Sequence, residues 1–285
     1  MKAIILAAGK GTRLYPMTRP VSKPLIPVYN KPLIYYPLCT LLEAGIREVL
    51  VIVPPAHTQQ FADLLGDGSA LGIQISYLEQ HVQRGIADAF LIAEKWIGGE
   101  PVCLILGDNI FFGAHFRESF SRALELTSGA AVFGYRVEDP RPFGVVEFDE
   151  NGFAISIEEK PKEPKSNYII PGIYIYDGRA SKIARMLRPS ARGELEITDL
   201  NRVYLGWGEL TVYGLDETTS WLDVGNPDAI LDAALTVRAL EQQTGNPVGC
   251  IERAALEQGF ITREQVHKIG RTMPNTRYGA YLESL

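Results

Sequence analysis

Gly9-Lys10-Gly11-Thr12-Arg13 packs two glycines and two basic side chains directly behind the apolar run Ile4-Ile5-Leu6-Ala7-Ala8. Glycine permits φ > 0 and lets a ligand approach the backbone closely. Successive N–H groups in such a turn form an anion-binding nest, and Arg13 adds a full charge, so a polyphosphate is the expected guest. Two familiar glycine loops do not fit. The dinucleotide fingerprint needs a glycine three residues after Gly11, where Leu14 stands. The Walker loop needs Gly-Lys followed by Ser or Thr, and Lys10 is followed by Gly11. Taken alone, the stretch also reads as an ordinary glycine loop after the first strand of an α/β protein.

Other charged residues stand where they could serve the same guest. Lys23 lies in a stretch stiffened by Pro16, Pro20, Pro24 and Pro27, so its ammonium can be delivered to a fixed place; the alternative is a plain surface lysine. Asp108 follows the apolar run Val102–Leu106, at the strand end where open α/β sheets bind ligands. A carboxylate beside phosphate-binding groups makes sense if a hard divalent cation lies between them, and Mg²⁺ is typically held by one or two carboxylates plus phosphate oxygens. Alternatively Asp108 caps the next helix. Asp223, in Trp221-Leu222-Asp223, reads as a second acid before a helix and a second candidate for that metal. Glu158-Glu159-Lys160-Pro161 offers another cation for an anionic substrate, with Glu159 accepting from hydroxyls, or else an exposed ion pair worth ~0–1 kcal/mol. His57, His81, His115 and His267 lie outside these motifs and read as surface or packing residues.

The elements that must position these groups follow from periodicity. Unbroken apolar runs at Val49–Val53 and Val102–Leu106 suit strands covered on both faces. Helices are expected at Ile34–Ala44, Gln59–Leu65 and Ile86–Trp96, with a strand at Ile73–Leu78. This β–α alternation predicts a parallel, doubly wound sheet. From Ala130 the pattern turns to alternating strands: Ala131–Val137, Gly144–Asp149, Ala154–Glu159 and Tyr168–Tyr176, with a hairpin signal at Asn151-Gly152. A polar loop from Ser190 opens a helix through Leu205, with Thr198 a candidate cap. Asn226 or Asp228 would cap a long helix to about Gln243, and helical spacing continues to the end.

With 285 residues, 46% of them hydrophobic and 22% charged, the chain can bury a large core. A net charge of −6 without a basic block argues against nucleic-acid binding. Cys39, Cys103 and Cys250 are too few and too scattered for a disulfide framework or a zinc site, which suits a reducing cytoplasm. The apolar start Ala3–Ala8 is shorter than the ~7–15 residues of a signal-peptide core, and no run approaches the ~18 apolar residues of a membrane span.

Together Leu6–Leu14, Ser22-Lys23-Pro24, Leu106-Gly107-Asp108-Asn109, Gly144-Val145-Val146-Glu147-Phe148, Glu159-Lys160-Pro161, Arg192–Asp199 and Trp221-Leu222-Asp223 resemble the sugar-1-phosphate nucleotidylyltransferases, nearly end to end. The resemblance implies a Rossmann-like nucleotidyltransferase fold: a mostly parallel central sheet flanked by helices, an antiparallel sugar-binding half and a C-terminal helical tail. Residues 1–227 would form the catalytic domain, with 1–125 the nucleotide half and 126–227 the sugar-phosphate half. Residues 228–285 would be a helical region serving an oligomer interface or a regulatory site.

The activity implied is Mg²⁺-dependent transfer of a nucleotidyl group from dTTP to glucose 1-phosphate. UTP-dependent transfer and a catalytically silent regulatory homologue are the alternatives, and a homotetramer is implied. Carried over, the triphosphate lies on Leu6, Ala7, Ala8, Gly9, Gly11, Thr12 and Arg13, touched by Lys23. Gln80 and Gly85 face the base, and Asp108 and Asp223 hold Mg²⁺. Gly144, Glu159 and Gly172 surround the sugar; Lys160 and Arg192 take its phosphate. Arg13, Lys23, Lys160 and Asp108 form the catalytic set. Four departures bear on base and sugar choice: Pro24 for the usual Gln, Gln83-Arg84-Gly85 for Pro-Asp-Gly, Phe143 for Tyr, and Pro171 for Thr.

Overall fold

A computed structural model describes the whole chain, Met1–Leu285. Its strands are β1 (Lys2–Leu6), β2 (Pro27–Val28), β3 (Lys31–Pro32), β4 (Glu48–Val53), β5 (Gln74–Glu79), β6 (Val102–Leu106) and β7 (Asn109–Phe112), then β8 (Ala130–Arg136), β9 (Gly144–Phe148), β10 (Ala154–Glu159), β11 (Tyr168–Ile169), β12 (Ile173–Tyr176), β13 (Leu210–Gly214) and β14 (Ser220–Asp223). The helices are α1 (Tyr35–Glu43), α2 (Thr58–Leu65), α3 (Asp88–Ile92), α4 (Glu94–Ile97), α5 (Ala114–Leu124), α6 (Ala180–Met186) and α7 (Ile197–Gly206), then α8 (Pro227–Thr244), α9 (Ile251–Glu257), α10 (Arg263–Arg271) and α11 (Arg277–Ser284).

Ten strands make one sheet in the order β10-β9-β11-β8-β12-β6-β1-β4-β5, with β13 added beside β8. The side built from β5, β4, β1 and β6 is parallel throughout. β12 runs antiparallel to both β6 and β8, and so welds an antiparallel wing onto that parallel centre. Both halves expected from the sequence are therefore halves of a single sheet.

Strand side chains alternate in direction, and the core divides accordingly. Ile5, Val49, Val51, Cys103, Ile105, Phe133 and Ile175 pack with α1, α2, α5 and the tail helices α9 to α11. Their neighbours Ile4, Leu50, Ile52, Leu104, Val132 and Tyr176 pack the other way, against α3, α4, α6 and α7. The tail thus covers the sheet beside α1, while α8 seals a smaller cluster of Val28, Leu33, Ile110 and Val224.

Several local expectations change. The helix read over Ile86–Trp96 is two short helices, α3 and α4, with Ala93 between them. The strand read over Tyr168–Tyr176 breaks at Ile170-Pro171-Gly172, where proline offers no N–H for the ladder. Asp108 does not cap a helix: Asn109–Phe112 forms β7, and α5 begins only after Gly113. Thr198 is not a cap either, since Glu196 occupies that position and Thr198 lies inside α7. Asn226 does cap α8, its side chain accepting from the Ala229 N–H.

Phe90 is fully buried and meets Tyr176 edge to face at 5.3 Å, beneath the site side of the sheet. Phe90→Ala is expected to lower stability by about 3–5 kcal/mol, read as a shift of the urea unfolding midpoint.

Candidate active site

β1 delivers the glycine loop to the carboxyl edge of the sheet. Gly11 uses its freedom there: it sits at φ +60°, and a Cβ would come within 2.9 Å of Thr18, whose hydroxyl donates to the Gly11 carbonyl at 2.7 Å. Gly9 needs no such backbone; an added Cβ there would meet nothing within 4 Å, so the space above it is open to a ligand. Gln83 braces the loop from across the cleft, donating through Nε2 to the Ala8 carbonyl at 2.9 Å. The motifs gave no sign of that role.

Two adjoining cavities lie along this edge. A cleft of about 1200 Å³ is lined by Leu6, Gly9, Gln80 and Gly85, together with Tyr15 and Gln83. The second, about 720 Å³, collects Arg13, Asp108, Gly144, Glu159, Lys160, Gly172, Arg192 and Asp223. Ile86 and Glu194 border both. His57 and His81 sit on the wall of the first cleft, a placement their surroundings in sequence did not suggest. Gly85, at φ +98°, lies so close to the Leu195 backbone that a Cβ would stand 2.4 Å from its carbonyl oxygen.

Between the cavities the charges converge. Lys23 is 6% exposed and places Nζ 2.5 Å from Asp108 Oδ2. The Asn109 amide donates to the other Asp108 oxygen at 2.9 Å. The β7–β14 ladder sets Asp223 opposite Asn109, and the Val224 N–H donates to the Asp108 carbonyl at 3.1 Å. The backbone thereby holds the two acids as neighbours. Arg13 reaches the same corner, since an added Cβ on Gly225 would meet Arg13 Nη2 at 3.0 Å and Asp223 Oδ2 at 3.1 Å. Asn109 is the hub that motif reading passed over: its Oδ1 also accepts from the Gly172 N–H at 3.1 Å and the Trp221 indole at 2.6 Å.

In the second cavity Glu159 accepts from Thr198 Oγ1 at 2.5 Å and from Arg192 at 3.0 Å. Lys160 Nζ lies 3.6 Å from the same carboxylate, and its backbone sits at φ +43°. Such left-handed backbone in a bulky residue is strained and collects at functional positions. Arg192 is also paired with Glu196 at 2.8 Å and Glu194 at 3.4 Å. Phe143 packs edge-on to Trp221 at 5.3 Å. All the residues expected at the site except Ala7, Ala8, Gly11, Thr12 and Lys23 line one or the other cavity, and these five belong to the loop beneath or to the Lys23–Asp108 pair.

The electrostatics bear on a metal. Burial first, and the Asp108 carboxylate second, push Asp223 up to about 6, while Lys23, Arg13 and Lys160 pull the other way. Two crowded carboxylates, with no third acid, histidine or cysteine clustered beside them, are the hard-oxygen donor set that Mg²⁺ takes when phosphate and water complete its shell. The donor chemistry fits.

The profile of the nucleotidyl transferase family matches residues 2–239. A glucose-1-phosphate thymidylyltransferase of Neisseria meningitidis serogroup A is 51% identical over 282 residues, covering 99% of this chain and 98% of its own. The enzyme of the same name from Mycobacterium tuberculosis H37Rv is 50% identical over 285 residues, covering 100% and 99%. A Bacillus anthracis crystal structure in complex with sucrose superposes with a TM-score of 0.78 at 39% identity, covering 84% of this chain and 95% of that one. A UDP-glucose pyrophosphorylase complexed with UDP-glucose shares the fold, with a TM-score of 0.74 at 24% identity and coverage of 84% and 98%. The chain belongs to the nucleotidyl transferase family.

A carboxyl whose folded pKa exceeds its unfolded value favours the fold only while protonated. That contribution is complete below the unfolded value of 3.8 and is lost as pH rises through about 6. Asp223→Asn is therefore expected to unfold at higher temperature than the natural protein at about pH 8 without divalent ions, by up to about 3 kcal/mol. The difference should shrink toward zero near about pH 4, as calorimetry at the two pH values would show.

Proposed function

We propose that the protein transfers a thymidylyl group from dTTP to glucose 1-phosphate, releasing pyrophosphate and forming dTDP-glucose. The observation that supports this most is the meeting of three cations, Arg13, Lys23 and Lys160, with two carboxylates at the junction of two cavities. The relatives of that name match over almost the whole chain.

An oxygen of the sugar phosphate attacks the α-phosphorus in line. A new P–O bond forms, the bond from the α-phosphorus to the bridging oxygen breaks, and pyrophosphate leaves with the electron pair. The second pKa of a phosphate monoester is ~6, so the nucleophile is already an anion and needs no general base. What the reaction requires is that two polyanions be held together. Repulsion between unit charges at ~4 Å is ~4 kcal/mol at an effective dielectric of ~20, and the three cations offset it. The glycine loop and Arg13 hold the triphosphate and stabilise the charge developing on the leaving group. Lys23, Lys160 and Arg192 fix the approach of the phosphates, and Glu159 accepts from the sugar hydroxyls. Asp108 and Asp223 would hold Mg²⁺, which when bound supplies further neutralisation of phosphate charge.

A UTP-dependent reaction is the second reading, favoured by Pro24 in place of the usual Gln. The three free, buried cysteines suit cytoplasmic residence, and no helix is long and apolar enough to cross a membrane. Exposed Leu231 and Leu235, one turn apart on α8, are apolar surface that a homotetramer would cover.

A grid of dTTP and UTP against several sugar 1-phosphates, read by pyrophosphate release, is expected to give its highest rate with dTTP and glucose 1-phosphate. A different best pair would overturn the assignment. Asp108→Ala is expected to lower turnover about 100-fold or more while leaving the circular dichroism spectrum unchanged; undiminished turnover would remove the metal assignment.

A further inference from the structure

A buried acid that the transfer chemistry does not use stands behind the larger cleft. Asp88 opens α3 and is 1% exposed. Its Oδ2 accepts from Gln80 Nε2 at 3.0 Å, and its Oδ1 accepts from Arg84 Nη2 at 2.8 Å. An ionised carboxylate has acceptors only. It therefore admits one orientation of the Gln80 amide, with the NH₂ toward Asp88 and the carbonyl turned away. A half-turn of the amide would set two oxygens against each other in a buried place, where unpaired polar groups are costly. Arg84, its side chain 58% exposed, supplies the buried carboxylate with a charged partner from the solvent side.

Gln80 is 4% exposed and lines the cleft. Its Oε1 receives no donor from the protein and is not among the sealed, unpaired atoms. The wall at this point offers a ligand an acceptor of fixed direction.

We infer that Asp88 is a positioning residue for base selection: by fixing the Gln80 amide it presents Oε1 to a pyrimidine whose ring N3 carries a hydrogen. Thymine and uracil have that N–H. The N3 of cytosine is an acceptor and would face Gln80 Oε1 lone pair to lone pair. A site built to hydrogen-bond a substrate N–H can reject an analogue lacking it by as much as ~10⁴-fold. The inference rests on the larger cleft being the nucleotide site. It explains why that site takes an imide base, and it is neutral between thymine and uracil.

The test compares kcat/KM for dTTP, dUTP and dCTP, which share one sugar, with glucose 1-phosphate as acceptor. Asparagine at position 88 offers both a donor and an acceptor, so Asp88→Asn frees the Gln80 amide to turn. The dTTP/dCTP ratio is expected to fall at least about tenfold, through a higher KM for dTTP and a lower one for dCTP, while the dTTP/dUTP ratio stays within about twofold. If Asp88 only supports the fold, all three substrates decline together and the dTTP/dCTP ratio holds; that result overturns the inference. Should Asp88→Asn fail to fold, Gln80→Met removes the same carbonyl. It is expected to lower the dTTP/dCTP ratio likewise, and an unchanged ratio again overturns the inference. A natural protein that releases pyrophosphate from neither dTTP nor UTP overturns the functional reading and this inference with it. One that does so, while its variants keep the natural ratio, overturns the inference alone.

Discussion

Two like charges held side by side against their repulsion are the constraint around which the site is built. Asp108 lies in the turn between β6 and β7, and Asp223 ends β14. The β7–β14 ladder keeps them neighbours, and burial first, with the Asp108 charge second, raises Asp223. Lys23 pairs with Asp108 beside them, and the two carboxylates are the kind of oxygen donors that a hard divalent ion would take. The cations gathered there can in turn receive phosphates that would otherwise repel one another.

The two cavities divide the recognition unequally. The wall of the larger cleft mixes backbone, amides and small residues with the charged Lys10, Arg19 and Glu194, and the Asp88–Arg84 pair lies outside that lining. In the second cavity, charge is dense and mutually satisfied. Glu159 serves Thr198, Arg192 and Lys160 at once, and Arg192 divides its guanidinium among three carboxylates. Any anion entering this cavity must compete for these cations, so binding there would be an exchange of partners. Ion pairs already made in the resting protein hold the side chains near their working positions, which reduces the ordering cost on binding.

Much of this was legible in the chain. The apolar runs at Val49–Val53 and Val102–Leu106, and the glycine loop between Leu6 and Leu14, mark the parallel centre and its ligand edge because burial and backbone freedom leave local traces in residue type. Asp108 and Lys160 are marked by their place at strand ends, Arg13 by the glycine loop and Lys23 by the prolines around it. What the sequence hid was long-range pairing. Nothing near Asn109 announces that its side chain will join Asp108, Gly172 and Trp221, residues up to 112 positions apart. The β7–β14 ladder, the reach of Gln83 to Ala8 and the hold of Asp88 on Gln80 likewise depend on the fold already being formed. Thr198 reads as a cap because hydroxyl residues favour caps; only the fold shows that Glu196 takes that position and that the Thr198 hydroxyl donates to Glu159 instead.

Gly85 and Leu195 touch main chain to main chain, with the Leu195 N–H donating to the Arg84 carbonyl at 2.6 Å and its carbonyl accepting from the Ala87 N–H at 3.2 Å. This clasp joins the segment after β5 to the segment before α7, and so ties together the walls of the two adjoining cavities. Being made of peptide groups, it is indifferent to the identity of the side chains on either strap. A change at Gln83, Arg84 or Glu194 would therefore leave the clasp fastened, although the Gln83 brace on Ala8 and the Arg84 pair with Asp88 would go with the side chain. Gly85 alone has no such latitude, so the clasp separates the evolution of specificity from the upkeep of architecture.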